Sequence, residues 1–423
     1  MSEKRYVLIG NSAASLAALE TIRRIDRTAP ITLVADEPMP AYSRVLLPYF
    51  VSGQRTDLSI RKAEYYQQMN VKALLGRRAA RIEDHTVVLD DGAALPFDRL
   101  LVATGSRAAV PDVEGIDTPG VFALKNLADA QRIRDFLPGA RSAIILGGGL
   151  ICLLVVRALH RLGLQVTILV SSTRVLSRML DEESAMRVQR QLTEAGVRIE
   201  TRTDAARIIA RHGKVCAVAT TAGQEVPADL VILAKGIRAN ADLAATAGAA
   251  VGRGVQVDAH IQTSRPDIFS AGDCAEAPDL LIPGKRTVGG TWFEAVWQGE
   301  AAGAAMAGAP QPPYGVLKMN VMETLGAAVA SVGLVEAPNG EGRAIVRVHG
   351  DNYRKLLVWR DRIVGAVLVG DVSEAGPIAS LIRRGITLSE FSRLDLLQPI
   401  RYPDLALPWR PVRESAPEFQ SVR

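Results

Sequence analysis

The segment Gly10-Asn11-Ser12-Ala13-Ala14-Ser15 follows an apolar run, Tyr6 to Ile9, and precedes an amphipathic one. Backbone N–H groups left free at a helix start, aided by the helix dipole, attract a diphosphate, and small residues let it come close. Serines stand where such turns carry their second and third glycines. Ser12 brings a hydroxyl donor, and Ser15 stays small enough for helix–strand packing. Asp36 and Glu37 end the next strand, placed to accept hydrogen bonds from ribose hydroxyls. An ordinary strand–helix turn is the plain alternative for so degenerate a pattern. A second turn, Gly147-Gly148-Gly149-Leu150-Ile151-Cys152, keeps the first two glycines and has Cys152 at the third position. Its following strand ends at Val170, where an acidic ribose reader is expected. Arg174, a few residues on, could meet a 2′-phosphate or lie idle on the surface.

Little else in the chain points to side-chain chemistry. Cys152, Cys216 and Cys274 lie far apart and form no CxxC pair, which argues against a disulfide framework, a zinc ribbon or an Fe–S cluster. His85, His160, His212, His260 and His349 show neither triad nor metal-ligand spacing, so no metal site is expected. His160 reads as a surface or cap residue.

The elements that must carry the two turns repeat one plan. RYVLIGNSAASLAALETIRR followed by ITLVADE, and SAIILGGGLICLLVVRALHRLG followed by QVTILVSS, each read as a strand–helix–strand unit of a parallel sheet. Two such units predict an α/β chain with two doubly wound, Rossmann-like domains, each with a ligand crevice at the carboxyl ends of its strands. Alternating stretches between and after them predict antiparallel excursions that turn at Asp91-Gly92 and near Ala222-Gly223. The joint APQPPYG after Gly308 ends a helix, and the remaining residues read as an α+β region with strands such as RAIVRVHG, RKLLVWRD and RIVGAVLVGD.

Across 423 residues, 50 Lys and Arg against 45 Asp and Glu leave a net charge of +5, and 48% of residues are hydrophobic, which excludes a disordered chain. No run of consecutive Lys and Arg suggests a nucleic-acid partner. The oiliest stretch, residues 143–156, is too short for a membrane span. The start MSEKRYVLIG reads as lacking a signal peptide, so a cytoplasmic protein is expected.

Three further segments sharpen the picture: Leu100-Leu101-Val102-Ala103-Thr104-Gly105-Ser106, Ala234-Lys235-Gly236-Ile237-Arg238-Ala239-Asn240 and Ile268-Phe269-Ser270-Ala271-Gly272-Asp273-Cys274. In this order, with both strand–helix–strand units, the chain resembles the FAD-dependent pyridine nucleotide-disulfide oxidoreductase superfamily. It looks most like the cysteine-free branch of rubredoxin and ferredoxin reductases and the N-terminal reductase half of nitrite reductase large subunits. The resemblance implies an FAD-binding domain in residues 1–113 and 251–308, an NAD(P)-binding-like domain in 114–250, and a C-terminal α+β interface domain in 312–423. It implies that Gly10, Asn11, Ser12, Ala13, Ala14 and Ser15 hold the FAD diphosphate and Glu37 the adenosine ribose. Arg44 would lie beside the phosphates and Pro48 near the isoalloxazine. Ala103, Thr104 and Gly105 mark the passage between nucleotide domains, and Gly272-Asp273 offers a carboxylate to the ribityl chain. For Asp273 a helix N-cap is the structural alternative.

The segment from Trp292 to Gly299 resembles the helix whose amino end faces the flavin N1–C2=O edge, with Trp297 and Gln298 on it. Core packing of Trp292 and Trp297 is the alternative to flavin contact. Gly147, Gly149, Leu150, Ile151 and Gly236 would hold NAD(H) or NADP(H).

Two departures limit what carries over. Val45 stands where related oxidases carry a redox cysteine, so disulfide reduction lacks its nucleophile. Leu154 replaces a glutamate after the second loop, and Val170 replaces the ribose acid, so two polar readers are apolar. The sequence therefore suggests an FAD oxidoreductase passing electrons between NAD(P)H and a separate redox protein or metalloenzyme subunit, with flavin-centred hydride transfer and no catalytic side chain. The alternative is an FAD electron-transfer subunit of a larger complex, such as an Fe–S or tungsten/molybdenum enzyme, with a weak or absent NAD(P) site. A flavin-free binding protein is the third class. Residues 314–325 could shape the acceptor side, and a homodimer through the C-terminal region is a further expectation.

Overall fold

The computed structural model of the protein describes residues 4–389 and 395–405. The ends of the expected C-terminal region therefore lie partly outside the described residues. Short apolar runs line up in parallel because both faces of each sheet are covered, one by helices and the other by an antiparallel appendage. The first sheet runs, edge to edge, through Ile268–Ser270, Arg99–Val102, Tyr6–Ile9, Ile31–Ala35 and Val71–Leu75. Every pairing in it is parallel. Arg99–Val102 thus does more than end a hairpin: it is an interior strand, clamped between the first strand of the chain and one formed some 170 residues later.

The second sheet repeats this design with Arg198–Thr201, Gln165–Val170, Ser142–Leu146, Leu230–Leu233 and Val121–Ala123, again all parallel. Each parallel sheet carries a three-stranded antiparallel appendage, Ala79–Glu83, Thr86–Leu89 and Ala94–Pro96 for the first and Ala205–Arg211, Lys214–Thr220 and Glu225–Pro227 for the second. The turns fall at the expected glycines, Gly92 and Gly223, both with positive φ. A further pair, Ser106–Ala108 against Ile237–Ala239, runs antiparallel where the chain crosses between the two sheets.

The C-terminal region is a five-stranded antiparallel sheet in the order Met319–Thr324, Ala327–Gly333, Arg362–Val369, Asn352–Trp359, Arg343–His349, and helix Ala375–Arg383 packs on it. It also grips the unit built on the second parallel sheet. Asp181, capping helix Glu182–Glu194, accepts hydrogen bonds from Tyr353 (2.7 Å) and Lys355 (2.9 Å) of the sheet. Thr324 Oγ1 donates to the Leu153 carbonyl at 2.9 Å. Among the described residues no helix is long and apolar enough to cross a membrane.

Candidate functional site

The two glycine turns have one geometry. Gly10 and Gly147 adopt φ of +113° and +117°, a region that costs a residue with a side chain strain. A Cβ on Gly10 would overlap the Ala103 carbonyl oxygen, and one on Gly147 the Ala234 carbonyl oxygen. In both places a neighbouring strand leaves the sheet directly against the turn, so only glycine fits. Neither following helix, Ala13–Ile25 or Leu150–Arg161, has a side-chain cap on its first turn, and neither has an acid there. Their amino ends present positive dipole and free N–H groups.

A third helix, Trp292–Ala307, lies along Ala13–Ile25. Its Gly299 and Gly303 face Ala14 and Ala18 so closely that a Cβ on either would overlap the facing carbonyl oxygen. Residue numbers rise together along this seam, so the helices run parallel and offer their amino ends to the same edge of the sheet. Six more residues precede the contact on the second helix than on the first, which carries its amino end roughly 9 Å further out. One end is thereby suited to a diphosphate and the other to a group lying beyond it.

Gly272 sits between these helices, 3.3 Å from Ala14 and 3.7 Å from Ala295 measured from where its Cβ would stand. Its N–H donates to Gln298 Oε1 at 2.7 Å. Next to it, the Asp273 carboxylate accepts from Ser106 Oγ (2.7 Å) and from Lys125 Nζ (3.0 Å). Strand Ala275–Pro278 follows, so the N-cap alternative for Asp273 does not hold. The Lys125 carbonyl in turn accepts from Arg44 Nη1 at 3.1 Å. Arg44 pairs with Glu37, and Tyr42 donates to the same carboxylate at 2.6 Å while accepting from the Leu127 N–H at 3.0 Å. Burial first, then the acidic neighbour, pushes the Tyr42 phenol well above its usual range, so it stays a donor.

Gly10, Ala13, Ala14, Ser15, Ala103, Gly272 and Gln298 therefore come together, with Ser12 at the helix cap. Asn11 lies in the turn but is held by Tyr66, which donates to its Oδ1 at 2.8 Å. Glu37 and Arg44 are brought together as a pair rather than standing free. Thr104 Oγ1 donates to the Asn240 carbonyl at 2.6 Å and Asn240 Nδ2 returns a bond to Thr104 O, latching the crossover beside Gly105 and Gly236. Trp297 is half-buried rather than in a core, with the Arg383 guanidinium 3.8 Å over its ring. Pro48 is buried in the short helix Leu47–Val51, which packs against helix Leu150–Arg161, where Arg157 lies 4.3 Å over the Tyr49 ring. Sequence reasoning missed Lys125, Tyr42, Ser106 and Arg383. Ser106 closes the segment 100–106 without a role read for it, and no period or motif marks Lys125, Tyr42 or Arg383; only their distance from the turns in three dimensions does.

The second turn has fewer polar groups. Val170 is buried, with methyl carbons 3.0 and 3.1 Å from where a Gly148 Cβ would stand. Arg174 is engaged by the Leu180 carbonyl (3.1 Å) and Thr173 Oγ1 (3.5 Å). Gly149 is open to approach, Leu150 is half-buried and Ile151 is exposed. Cys152 and Cys274 are fully buried, and burial pushes both thiols up, which leaves them unreactive. Val45, at the position of the missing sulfur, is exposed. Among the described residues no cluster of three or more His, Cys, Asp or Glu could hold a metal.

The donor set fits an adenine-dinucleotide flavin. Two amino ends supply N–H groups for anionic oxygens, Arg44 and Lys125 supply cations, and Asp273 and Glu37 are acceptors for hydroxyls. Two buried polar atoms beside these turns, Ser15 Oγ and Gln298 Nε2, have no partner within the protein.

Comparison with known proteins agrees. The family model described as pyridine nucleotide-disulphide oxidoreductase matches residues 4–299, and that of the rubredoxin NAD+ reductase C-terminal domain matches residues 319–386. The chain is 33% identical over 357 residues to the ferredoxin–NAD(+) reductase component of the biphenyl dioxygenase system of Paraburkholderia xenovorans, covering 84% of this chain and 86% of that one. It is 29% identical over 415 residues to a nitrite reductase [NAD(P)H] of Bacillus subtilis, covering 95% of this chain and 50% of the relative. The chain thus spans about half the length of some curated relatives it matches. Among solved structures, the putidaredoxin reductase–putidaredoxin complex superposes with a TM-score of 0.83 at 27% identity, over 90% of this chain and 94% of that one.

Proposed function

The chain belongs to the pyridine nucleotide-disulphide oxidoreductase family, and from that premise we propose that it is an FAD-dependent NAD(P)H oxidoreductase that exchanges electrons with a separate redox protein or metalloenzyme subunit. The observation that carries this reading is the convergence of two parallel helix amino ends on the Gly272-Asp273 turn, with Lys125 bonded to Asp273 and Arg44 to the Lys125 carbonyl. FAD, when bound, accepts a hydride as a two-electron unit and releases electrons singly.

The residues divide that work. The turn from Gly10 to Ser15 holds the diphosphate, with Arg44 as its counter-charge. Asp273 holds hydroxyls of the linking chain, and Lys125 and Ser106 fix its carboxylate. The amino end of helix Trp292–Ala307 favours negative charge on the ring. The turn from Gly147 to Ile151, with Gly236 beside it, takes the nicotinamide dinucleotide. We assign the first site to residues 1–113 and 251–308, the second to 114–250, and the interface role to 312–423. Exposed Val45 leaves no thiol to form a mixed disulfide, so the electrons leave through a partner rather than to a disulfide substrate. Release of single electrons suits a partner such as an Fe–S or tungsten/molybdenum subunit, and a second copy of the chain can pair through the C-terminal sheet.

Buried Val170 and apolar Leu154 favour one other reading, a flavin subunit that receives or delivers electrons only through its complex. Anaerobic titration with NADH and NADPH tests the first reading, since it predicts bleaching of the flavin band by one or both. A flavin that stays oxidised with both refutes it. Constant co-purification with a metalloenzyme then supports the second.

A further inference from the structure

Glu294 is an unusual residue for its place. A glutamate three positions into a helix ordinarily sits in water and bonds back to the cap. Here Thr291 caps helix Trp292–Ala307, and the Glu294 side chain turns inward, 1% exposed. Its two oxygens are claimed from the C-terminal region. Arg383, the last residue of helix Ala375–Arg383, donates to Oε1 at 3.0 Å, and Tyr314 donates to Oε2. The same guanidinium lies 3.8 Å over Trp297, whose ring stacks near Phe293 at 6.0 Å between centroids. One turn further along, Gln298 holds the Gly272 N–H. A single cation from the C-terminal region thus fixes the carboxylate and the aromatic ring at the amino end of the flavin-facing helix.

We propose that Arg383 is a positioning residue for the flavin: by neutralising Glu294 and seating Trp297, it sets the electrostatic potential at the amino end of helix Trp292–Ala307 and thereby the flavin's reduction potential. This rests on the reading that the flavin ring lies at that end. An ionised Glu294 without its partner opposes the helix dipole and disfavours the negative charge that reduction brings. Arg383 without Glu294 adds to the dipole and favours it. The pair is therefore balanced, and its two halves act with opposite sign. Burial raises the Glu294 pKa even against Tyr314 and Arg383, and the Tyr314 hydroxyl still donates to Oε2 when Arg383 is replaced, so the opposite signs are read at a pH high enough to keep Glu294 ionised.

The test is a spectroelectrochemical titration of the flavin in the full-length holoprotein at one fixed alkaline pH, where Glu294 is ionised, for the parent, R383M, E294Q, R383M/E294Q and R383K. R383M is expected to lower the reduced-to-oxidised ratio at a set potential at least tenfold, about 30 mV for a two-electron couple. E294Q is expected to raise it by a similar factor. The double variant should return toward the parent, and R383K should stay within threefold of it. Should R383M fail to accumulate, E294Q and R383K decide alone, because E294Q is nearly isosteric and must still raise the potential. Equal potentials in all holoproteins, or shifts of the same sign in R383M and E294Q, overturn the proposal while leaving flavin binding intact. A parent protein that binds no flavin refutes the underlying reading instead.

Discussion

Replacing Gly10 or Gly147 by alanine separates the two sites, because both glycines have the same conformation but serve different turns. At φ of +113° and +117°, a side chain costs about 1–3 kcal/mol in backbone strain. The added methyl would also overlap the Ala103 or Ala234 carbonyl by roughly 1 Å relative to ordinary van der Waals contact. Relief requires the turn and the exiting strand to part. At the first site that loosens two backbone bonds of 2.8 Å, Gly10 N–H to Val34 O and Ala103 N–H to Ile9 O. The second site has the matching pair, Gly147 N–H to Leu169 O and Ala234 N–H to Leu146 O, also 2.8 Å each. Buried bonds left unmet cost about 1–3 kcal/mol each. Partial relaxation brings the sum to about 3–6 kcal/mol, and half of that loss at the binding turn weakens a ligand at least tenfold.

The expected contrast is sharp. G10A should purify largely without flavin, read as the ratio of absorbance near 450 nm to that at 280 nm. G147A should keep its flavin but need at least tenfold more NADH or NADPH for anaerobic reduction. The reasoning fails if G10A retains full flavin with an unchanged melting temperature. It fails equally if G147A loses flavin while nicotinamide reduction of the remaining holoprotein is unaltered.

Three further outcomes follow from the same geometry. D273N leaves the Lys125 ammonium without its carboxylate, and loss of that charged acceptor should weaken FAD retention about 10- to 100-fold, measured by dialysis against denaturant-free buffer. V170E restores an acid at the end of strand Gln165–Val170, and should tighten NADH about tenfold by equilibrium titration; an unchanged affinity would point to a second site that no longer takes dinucleotide. D181N probes the grip between the unit on the second parallel sheet and the C-terminal sheet. Burial acts to raise the Asp181 pKa, but hydrogen bonds from Ser184, Lys355 and Tyr353 outweigh it and hold the carboxyl at about 2, against 3.8 when free. A depressed folded-state pKa contributes stability that is complete well above pH 4 and disappears as pH falls through 2. D181N keeps a capping side chain, so it should cost about 1–2 kcal/mol at pH 7 and about half as much at pH 3, read from urea midpoints. A gap that does not narrow with acid would assign the loss to packing instead.

Much of this protein was legible along the chain because it rests on local physics. A glycine with positive φ beneath a neighbouring strand tolerates no substitute, so Gly10 and Gly147 are written into the sequence directly after apolar strands. The hairpin turns at Gly92 and Gly223 and the three long C-terminal strands follow from alternation and turn residues in the same way. The absence of a CxxC pair was likewise legible, whereas the burial of Cys152 and Cys274 is a tertiary fact.

What the sequence by itself determined, then, is the set of elements and the two turns, because strand, helix and glycine conformations depend on residues a few positions apart. Tertiary structure alone decided which distant side chains complete the site. Arg99–Val102 becomes an interior strand only when Ile268–Ser270 arrives beside it. Lys125 reaches Asp273, Tyr42 reaches Glu37 and Leu127, and Arg383 reaches Glu294 and Trp297 only once three sheets have packed. Ionic and aromatic contacts of this kind need proximity and burial, not spacing, and a lysine or arginine destined for a partner reads like any solvated charge until the fold brings that partner within 3 or 4 Å.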